Sequence, residues 1–331
     1  MKKIRIGLIG CGRIVQASHV PALNALKSKA EISALFDINP ETAKKIKTDF
    51  MLESKICSSV SALLKTEIDA VIVSTPNFTH YRLSMQALNA GKHVLIEKPI
   101  AANLRQADEM IALAKRKHLV LQVNQSLRFA PAYVKTKELI DSGIIGKPLH
   151  IRCLRASSTT PDKGWSPGAS WFLSKKSAGG LVMDIAVHMA DFLGWCFGET
   201  EKIFAINHTE IAGNDVPDNV TALFDFANGA TGVLELSWTF PSCMGFLEIY
   251  GSKGVIRMGF NETELEMKLG NEQFKPVKIQ KVKKSHTWFI ESVSNQSSGN
   301  PATGEVGRHA LAYCIAITQS AKSGKPVKPI I

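Results

Sequence analysis

The chain has 331 residues, of which 45% are hydrophobic and 21% are charged, and it contains 24 glycines and 14 prolines. This composition is typical of globular protein and excludes a disordered, collagenous or coiled-coil chain. The length predicts about two domains, each large enough to bury its own hydrophobic core. Lysine and arginine number 40 against 29 acidic residues, a formal net charge of +11. The charge alone would permit an anionic partner, but the basic residues fall in small groups without interleaved aromatics, which favours solvated surface.

The six cysteines are far apart, and none has a second cysteine or a histidine at ligand spacing. This spacing predicts free thiols rather than a disulfide framework or a metal site. Arg5, Gly10 and Arg13 interrupt the apolar stretch that a signal peptide needs. Later apolar runs are shorter than the ~20 residues that span a membrane. The sequence therefore predicts a cytoplasmic protein with no metal, no membrane partner and no nucleic acid partner.

Residues 3–122 alternate short apolar runs with longer amphipathic ones, which is the pattern of βαβ units on a parallel sheet. The predicted strands are residues 3–9, 31–37, 70–74, 93–97 and 120–124. The predicted helices are residues 14–26, 40–50 with Asn39 as the N-cap, 78–90 ended by Gly91, and 107–117. We expect residues 1–122 to form a doubly wound α/β Rossmann domain.

Residues 123–331 have a different pattern, with short alternating strands separated by turn residues. The expected strands are 149–155, 222–225, 231–238, 246–250 and 255–258, and the expected helices are 131–142, one after the Gly179-Gly180 pair, and 305–323. This pattern predicts an α+β domain with a large, mostly antiparallel open sheet.

A glycine-rich turn joins the first predicted strand to the first predicted helix. It reads Gly10-Cys11-Gly12-Arg13-Ile14-Val15, a GxGxxG pattern with valine at its third glycine. Gly10 permits the tight turn, Gly12 lets the backbone approach a pyrophosphate, and the helix N-terminus favours negative charge. The turn therefore predicts dinucleotide binding.

Asp37 ends the second predicted strand, 25 residues beyond Gly12. A carboxylate at this place can accept hydrogen bonds from both hydroxyls of an adenosine ribose. It would also repel a 2′-phosphate, so the sequence favours NAD over NADP. The positive charge of Arg13 could partly offset that repulsion.

Two further strand ends carry polar residues where ligands bind in doubly wound sheets. Ser74-Thr75-Pro76-Asn77 follows one strand, with Asn77 as a possible helix N-cap beside the cofactor. His80 either reaches the cofactor or satisfies that helix end. Glu97-Lys98-Pro99 follows the next strand, and a lysine at the mouth of a parallel sheet is poorly explained as core.

Together with the segments Asn124-Gln-Ser-Leu-Arg128-Phe129 and Gly179-Gly-Leu-Val-Met-Asp184-Ile-Ala-Val-His188-Met-Ala-Asp191, these motifs resemble the Gfo/Idh/MocA family of oxidoreductases. The family takes its name from glucose–fructose oxidoreductase, inositol dehydrogenase and a rhizopine-catabolism protein. The resemblance covers essentially the whole chain. It implies an NAD(P)-dependent enzyme that forms dimers or tetramers through the outer face of its C-terminal sheet.

The Gly179-Gly180 pair leads into a predicted helix on which Asp184, His188 and Asp191 share one face. An inert core histidine is the alternative, but the polar stripe and the preceding glycines favour a site. His188 suits proton transfer from an alcohol, Asp184 could orient the imidazole or hold a substrate hydroxyl, and Lys98 could bind the reacting oxygen. The resemblance implies the same catalytic roles for these three residues.

The predicted substrate is a small polyhydroxylated molecule. The candidate contacts are Lys98, Asn124, Arg128, Trp165, Asp184 and His188, and Glu97 joins the turn residues as a cofactor contact. Asn124 and Arg128 could instead cap the next helix, and Trp165 and Trp171 could instead anchor their loop. Many relatives have arginine where this chain has Phe172, which puts a contact by that side chain in doubt. An NAD-dependent glycosidase and a non-catalytic NAD sensor stay open as alternatives to a dehydrogenase.

Overall fold

The computed structural model describes residues 3–259, 263–295 and 299–331. The chain divides into two compact units, which we call unit 1 (Met1–Gln125 and Lys283–Arg308) and unit 2 (Ser126–Val282 and His309–Ile331). The sequence placed the boundary between the cofactor domain and the substrate domain after residue 122, and that boundary stays a prediction. By contact, the segment Lys283–Arg308 returns to unit 1.

Unit 1 is built on a six-stranded parallel sheet. Its strands are β1 (Ile4–Ile9), β2 (Ala30–Phe36), β3 (Lys55–Ile56), β4 (Ala70–Val73), β5 (His93–Ile96) and β6 (Leu121–Val123). They run in the order β3-β2-β1-β4-β5-β6, so the direction of winding reverses between β1 and β4, where doubly wound sheets bind their ligands. The predicted Rossmann fold is confirmed. The sequence did not predict β3, because a strand of two residues shows no detectable alternation of apolar and polar side chains.

The helices of unit 1 are α1 (Val20–Asn24), α2 (Pro40–Asp49), α3 (Val60–Leu64), α4 (His80–Asn89), α5 (Leu104–Arg116) and α8 (Ser285–Val293). Asn39 caps α2 as predicted, with its side chain accepting a hydrogen bond from the Glu41 N–H. The continuous helix expected over residues 14–26 is instead a π-helical turn, Val15–His19, followed by α1. Pro21 has no N–H for the carbonyl four residues earlier, which is a physical reason for the helix to widen there.

Unit 2 is built on an eight-stranded sheet. Its strands are β7 (Pro148–Ala156), β8 (Thr200–His208), β9 (Asn219–Phe226), β10 (Thr231–Ser237), β11 (Met244–Gly251), β12 (Gly254–Gly259), β13 (Leu265–Leu269) and β14 (Lys275–Pro276). The order is β14-β13-β12-β11-β7-β10-β9-β8, antiparallel except for β7 with β10. The predicted open, mostly antiparallel sheet is confirmed.

Two helices of unit 2, α6 (Pro131–Asp141) and α7 (Val187–Phe197), contribute to one apolar core with the inner face of this sheet. A third helix, α9 (Gly304–Ser323), begins within unit 1 and continues into unit 2. A second π-helical turn, Val182–Ala186, leads directly into α7.

One segment of the described chain, Lys175–Phe197, is long and apolar enough to cross a membrane by length and composition alone. However, 67% of its most apolar window is buried inside the structure. Burial of this kind is typical of a helix in the core of a globular protein, so the segment is weak evidence for a membrane span.

Candidate active site

The two glycines of the turn after β1 have different surroundings. Gly10 has a φ of +90°, and a Cβ added there would lie 2.3 Å from the carbonyl oxygen of Ser74. A Cβ added to Gly12 would meet no described atom within 4 Å. Gly10 is therefore needed for the fold of the turn, whereas the backbone at Gly12 is open to a ligand. This open cradle fits the pyrophosphate of a dinucleotide.

Asp37 lies against this glycine turn. Its Oδ2 accepts a hydrogen bond of 2.7 Å from the N–H of Cys11, and its Oδ1 accepts one of 2.9 Å from the N–H of Asn39. Each carboxylate oxygen keeps a further lone pair that a ribose hydroxyl could use. Burial, and after it the Asp37 charge, raises the pKa of the Cys11 thiol to about 12, so this thiol stays protonated.

Arg13 and Ile14 open the helical segment that follows, with Arg13 exposed and Ile14 half-buried. Their backbone therefore continues directly from the open cradle at Gly12. A cofactor contact by either residue stays a prediction.

The segment after β4 approaches the same turn. The Ser74 carbonyl and the Thr75 methyl are the nearest atoms to a Cβ added at Gly10. The Ser74 hydroxyl is buried and has no hydrogen-bond partner within the described part of the chain. A buried polar group without a partner is costly, which suits a position that a ligand completes.

Asn77 does not cap the following helix in the way the sequence suggested. It is buried and begins the short turn Asn77–Thr79, and α4 starts with Thr79 at the cap position without a side-chain cap bond. Thr75 and Thr79 instead join through their hydroxyls at 2.6 Å. Pro76 supplies the carbonyl that the Thr79 hydroxyl donates to.

His80 is fully buried between two backbone carbonyls. Its Nδ1 lies 2.7 Å from the carbonyl oxygen of Pro99, and its Nε2 lies 2.8 Å from that of Thr75. Burial lowers the pKa of this imidazole, with the two carbonyls opposing the shift. Of the two alternatives for His80, the geometry favours the structural one, because both ring nitrogens join the segments after β4 and β5.

Glu97-Lys98-Pro99 follows β5, a strand whose last three residues are fully buried. Glu97 is 9% exposed, and its Oε1 lies 3.0 Å from His19 Nε2. The side-chain amide of Asn124 donates to the same oxygen at 2.7 Å. Burial raises the pKa of Glu97, but the contacts with His19 and Asn124 and the charge of Lys98 outweigh it and lower the pKa to about 2. A half-buried lysine thus follows a carboxylate that stays ionised.

Asn124 is occupied by neighbours inside unit 1. Besides donating to Glu97, it accepts a hydrogen bond of 2.8 Å from the Ser285 hydroxyl, and it is 8% exposed. The predicted substrate contact by its amide is therefore less well supported than a role in orienting Glu97.

In unit 2, the polar stripe separates into two parts. Asp184 lies in the π-helical turn and His188 lies in α7, and both are half-buried. Asp191, one turn further, is buried and binds Arg128 through two hydrogen bonds. Asp184 and His188 therefore remain the candidates for chemistry, since π-helical turns occur often at functional sites.

The Arg128 side chain contacts two residues of α7. Its guanidinium holds both oxygens of Asp191 and lies 4.9 Å from the ring centroid of Trp195. This geometry joins the segment after β6 to α7. A substrate contact by Arg128 stays a prediction.

The loop before the glycine pair carries three aromatic residues. Trp165 is 49% exposed. Trp171 and Phe172 stack on each other with ring centroids 3.8 Å apart, and Phe172 is buried. The backbone carbonyls of Trp171 and Phe172 also pack so closely on Gly179 that a Cβ there would lie 2.4 Å from the Trp171 oxygen. The stacked pair therefore anchors the loop.

Sequence reasoning missed His19, Ser285 and His286, which surround Glu97 and Asn124. His19 looked like one more helix residue, and His286 lies 267 positions away from it. The only local signal was a histidine on an otherwise apolar helix face. Among residues 3–259, 263–295 and 299–331, no cluster of three or more His, Cys, Asp or Glu side chains could hold a metal ion.

Two family models match the chain. Residues 4–125 match an oxidoreductase family described as having an NAD-binding Rossmann fold, and residues 133–257 match the GFO/IDH/MocA C-terminal domain. Fold, glycine turn and family model agree on an NAD-binding oxidoreductase. The chain belongs to the Gfo/Idh/MocA family, as the sequence motifs predicted.

Named relatives span nearly the whole chain. A 1,5-anhydro-D-fructose reductase of Ensifer adhaerens is 28% identical over 333 residues, covering 97% of both chains. A myo-inositol 2-dehydrogenase of Thermotoga maritima is 28% identical over 342 residues, covering 98% of both. A solved structure of levoglucosan dehydrogenase in complex with NADH and L-sorbose superposes with a TM-score of 0.89 at 25% identity, covering 99% of both chains.

Proposed function

We propose that this protein is an NAD-dependent dehydrogenase that reversibly oxidises a secondary alcohol of a sugar, a cyclitol or a related polyhydroxylated molecule. The relatives support this substrate class, since their names refer to inositol, levoglucosan and anhydrofructose. Those names describe dehydrogenases and a reductase, which favours the dehydrogenase over the glycosidase and the sensor.

The residues proposed to hold NAD surround the strand ends of unit 1. They are Gly10, Gly12, Arg13, Ile14, Asp37, Ser74, Thr75, Pro76, Asn77, Glu97 and Lys98. The open backbone at Gly12 and the partnerless Ser74 hydroxyl support this assignment. The Asp37 carboxylate supports NAD over NADP, because it would repel a 2′-phosphate.

The proposed chemistry needs a base for the alcohol proton and a cation for the oxygen that loses it. When bound, NAD supplies the nicotinamide ring that takes the hydride. His188 accepts the hydroxyl proton on its imidazole and returns it in the reverse direction. Lys98 donates a hydrogen bond to the reacting oxygen and stabilises its negative charge. Asp184 orients the imidazole or holds a neighbouring substrate hydroxyl.

The observation that best supports these roles is the position of Lys98 at the buried end of β5. β5 is buried up to Glu97, whereas Lys98 is half-buried and follows a carboxylate whose pKa is lowered to about 2. A lysine without function at such a place would gain more from full solvation. Trp165 is proposed as an apolar face for the substrate ring, on the strength of its exposure.

A panel of alcohols tests the function. Polyols, inositols, aldoses, sugar acids and nucleotide sugars are each incubated with the protein and NAD or NADP, and reduced cofactor is followed by absorbance. We expect NADH formation with at least one neutral or acidic cyclic polyol, and weaker reaction with NADP. Reduction of neither cofactor by any alcohol, combined with release of an aglycone from a glycoside panel, would replace the dehydrogenase with the glycosidase.

We also propose that the protein assembles as a homodimer or homotetramer through the outer face of the unit 2 sheet. This face carries exposed apolar side chains on neighbouring strands, including Ile206 on β8 at 51% and Leu223 on β9 at 49% exposure. Isolated exposed leucines are ordinary, but adjacent ones on a sheet face suit an interface. Light scattering of the wild type and of Leu223→Lys tests the assembly, and a monomeric wild type would contradict it.

A cytoplasmic location is proposed from the cysteines. All six are free, and five of them are buried. Unpaired thiols are typical of a reducing compartment.

A further inference from the structure

One buried side chain in unit 1 has polar atoms that the fold does not satisfy. Gln125 is 1% exposed, and neither its amide oxygen nor its amide nitrogen has a hydrogen-bond partner among the described residues. Exchanging the oxygen and nitrogen positions does not alter this, because both atoms lack a partner. A buried amide without partners is costly, and an exception of this kind requires a physical explanation.

Gln125 stands at the carboxyl end of β6, the edge strand of the unit 1 sheet. β5 and β6 are paired in parallel up to their last residues, so Lys98 and Gln125 are each the second residue beyond a paired strand end. Just before them, the Asn124 amide reaches the Glu97 carboxylate at 2.7 Å, which shows that the two segments still lie side by side there. Gln125 therefore belongs to the same edge of the sheet as Lys98.

The order of the strands predicts which part of a dinucleotide lies at this edge. Asp37, proposed for the adenosine ribose, follows β2, and the glycine turn proposed for the pyrophosphate follows β1. The next strands in the sheet are β4, β5 and β6, so a dinucleotide across the carboxyl ends has its nicotinamide half over these three strands. β6 is three strand spacings from β1, which is about 14 Å. Gln125 is thus expected near the nicotinamide end of the cofactor.

The nicotinamide ring bears a carboxamide, the same functional group that ends the Gln125 side chain. Two carboxamides can form two hydrogen bonds at once, because each offers an N–H donor and a carbonyl acceptor. One ligand group would then satisfy both polar atoms of the glutamine. A single substrate hydroxyl presents one oxygen and matches this pair of atoms less well.

Both amide atoms of Gln125 are covered by protein, so the contact requires the side chain to turn from one staggered rotamer to another. The neighbouring amide of Asn124 would lose its hydrogen bonds with Glu97 and Ser285 in such a turn. Gln125 has no side-chain hydrogen bond to lose among the described residues. Of the two amides that follow β6, it is therefore the one that can reorient toward a ligand at little cost.

We propose that Gln125 binds the carboxamide of the nicotinamide ring through its side-chain amide and thereby fixes which face of the ring is presented to the substrate. This inference rests on the proposed function for the identity of the cofactor. The carboxamide is the hydrogen-bonding substituent of the ring, so holding it sets the rotation of the ring about its bond to the ribose. Such orientation of the reacting groups is what hydride transfer requires.

Binding of three nucleotides to the full-length protein tests the proposal without turnover. NADH has the carboxamide, reduced 3-acetylpyridine adenine dinucleotide has a methyl ketone in its place, and ADP-ribose lacks the ring. Isothermal titration calorimetry measures the Kd of each nucleotide. The methyl ketone keeps the carbonyl acceptor and loses the N–H donor, so the ratio of its Kd to that of NADH reports the bond made by the donor.

Two variants and a control are compared with the wild type. Gln125→Leu removes both polar atoms at a similar volume, and Gln125→Met takes its place if the leucine variant does not fold. Ser84→Ala is the matched control. Ser84 is also fully buried, with a hydroxyl that has no partner in the described part of the chain, but it lies within α4 rather than at a strand end.

We expect Gln125→Leu to weaken NADH binding about tenfold, to weaken binding of the acetylpyridine analogue about threefold, and to leave ADP-ribose within about twofold of wild type. The Kd ratio of the analogue to NADH should therefore fall from about three to about one. The thermal midpoint of the cofactor-free protein should not fall, because the amide gives up no hydrogen bond. Ser84→Ala should leave all three affinities unchanged.

The proposal would be overturned if Gln125→Leu bound NADH as the wild type does, or if it weakened ADP-ribose binding as much as NADH binding. Failure of the wild type to bind either NADH or ADP-ribose would refute the cofactor site itself, and this inference with it. A loss of NADH affinity specific to Gln125→Leu would support the carboxamide contact. If every alcohol in the panel failed as well, that result would refute only the dehydrogenase.

Discussion

Arg128 and Asp191 form a bidentate pair in unit 2, with Nε to Oδ2 at 2.8 Å and Nη2 to Oδ1 at 2.9 Å. The two side chains are 12% and 2% exposed. Burial raises the pKa of Asp191, and Arg128 opposes that shift. A buried pair of this kind is expensive to break, because the remaining charge has no water to solvate it. Arg128 is therefore best explained as the anchor of α7, the helix that carries His188.

Breaking this pair should destabilise the protein. We expect Asp191→Asn to lower the free energy of unfolding by about 3 kcal/mol, because it leaves Arg128 buried without its counter-charge. Urea unfolding followed by fluorescence measures the loss. Glu138→Gln, which breaks the more exposed pair with Lys135, is the matched control and should cost no more than about 0.5 kcal/mol. A stable Asp191→Asn whose defect is confined to KM would return Arg128 to the substrate site.

The two turn glycines should respond differently to alanine. Gly10→Ala should cost about 2 kcal/mol or more in unfolding free energy, since its Cβ would overlap the Ser74 carbonyl at a positive φ. Gly12→Ala should leave stability within about 0.5 kcal/mol, because its Cβ meets open space, yet weaken NADH binding about tenfold or more. Thermal unfolding and NADH fluorescence titration measure the two effects. Full NADH affinity in Gly12→Ala would exclude this turn as the phosphate site.

Cofactor choice should depend on Asp37. We expect Asp37→Ser to bind NADH about tenfold more weakly, because a ribose acceptor is lost, and to bind NADPH better than the wild type does. Fluorescence titrations of both cofactors give the ratio. Asp49→Ser, on the exposed end of α2, is the control and should leave both affinities unchanged. A ratio that does not move in Asp37→Ser would contradict the ribose contact.

The proposed acid–base pair should separate binding from turnover. With a substrate from the panel, His188→Ala should lower kcat by about 10²- to 10⁴-fold, because it removes the group that accepts the hydroxyl proton. Lys98→Met should lower kcat by a similar factor, because it removes the cation that stabilises the negative charge on the reacting oxygen. NADH binding to His188→Ala should stay near wild type. His208→Ala, at an exposed end of β8, serves as the control. Full turnover by His188→Ala would remove it from the mechanism.

The buried histidine and glutamate should make the protein sensitive to acid. The folded pKa values of His286 and Glu97, about 3 and about 2, lie below the ordinary values of 6.5 and 4.5. The contribution of these two groups to the free energy of unfolding is therefore complete above pH 6.5. It decreases at lower pH, because the unfolded chain binds protons there that the folded chain does not bind. The contribution of His286 decreases as the pH falls from 6.5 toward 3, and the contribution of Glu97 decreases as well below pH 4.5.

Urea unfolding of wild type and His286→Gln at pH 9, 8, 6, 5 and 4 isolates the histidine contribution. The difference in unfolding free energy between the two proteins should change with pH in that window and be constant above pH 7. Parallel curves over the whole range would show that His286 titrates normally in the folded protein.

Local patterns were sufficient to predict the architecture and to propose the glycine turn as the phosphate site. Gly10 and Gly12 sit between a strand and a helix, and their consequences follow from backbone sterics within a few residues. Asn39 was recognised as an N-cap for the same reason, because its partner, the Glu41 N–H, is two residues away. The two π-helical turns were missed, since their residues are ordinary helix formers.

The roles of the polar side chains required the tertiary structure. Asn124 and Arg128 stood in one motif and looked equivalent, yet one binds Glu97 in unit 1 and the other binds Asp191 in unit 2. The sequence left two roles open for His80, a contact with the cofactor or a structural role at the helix end. Only its contacts with Thr75 and Pro99 favour one of them, the structural role.

The sequence alone therefore predicted a two-part chain and a dinucleotide turn, and it led to the proposals of an acidic residue for the ribose and of a lysine and a histidine for alcohol chemistry. Each of these conclusions depends on spacing along a single element, which short-range geometry dictates. Which buried polar groups satisfy one another was decided only by folding, because His19 and His286 are 267 residues apart and Arg128 and Asp191 are 63 apart. Hydrogen bonds between such distant residues leave no periodic trace in the sequence, since any complementary pair of side chains would serve equally well.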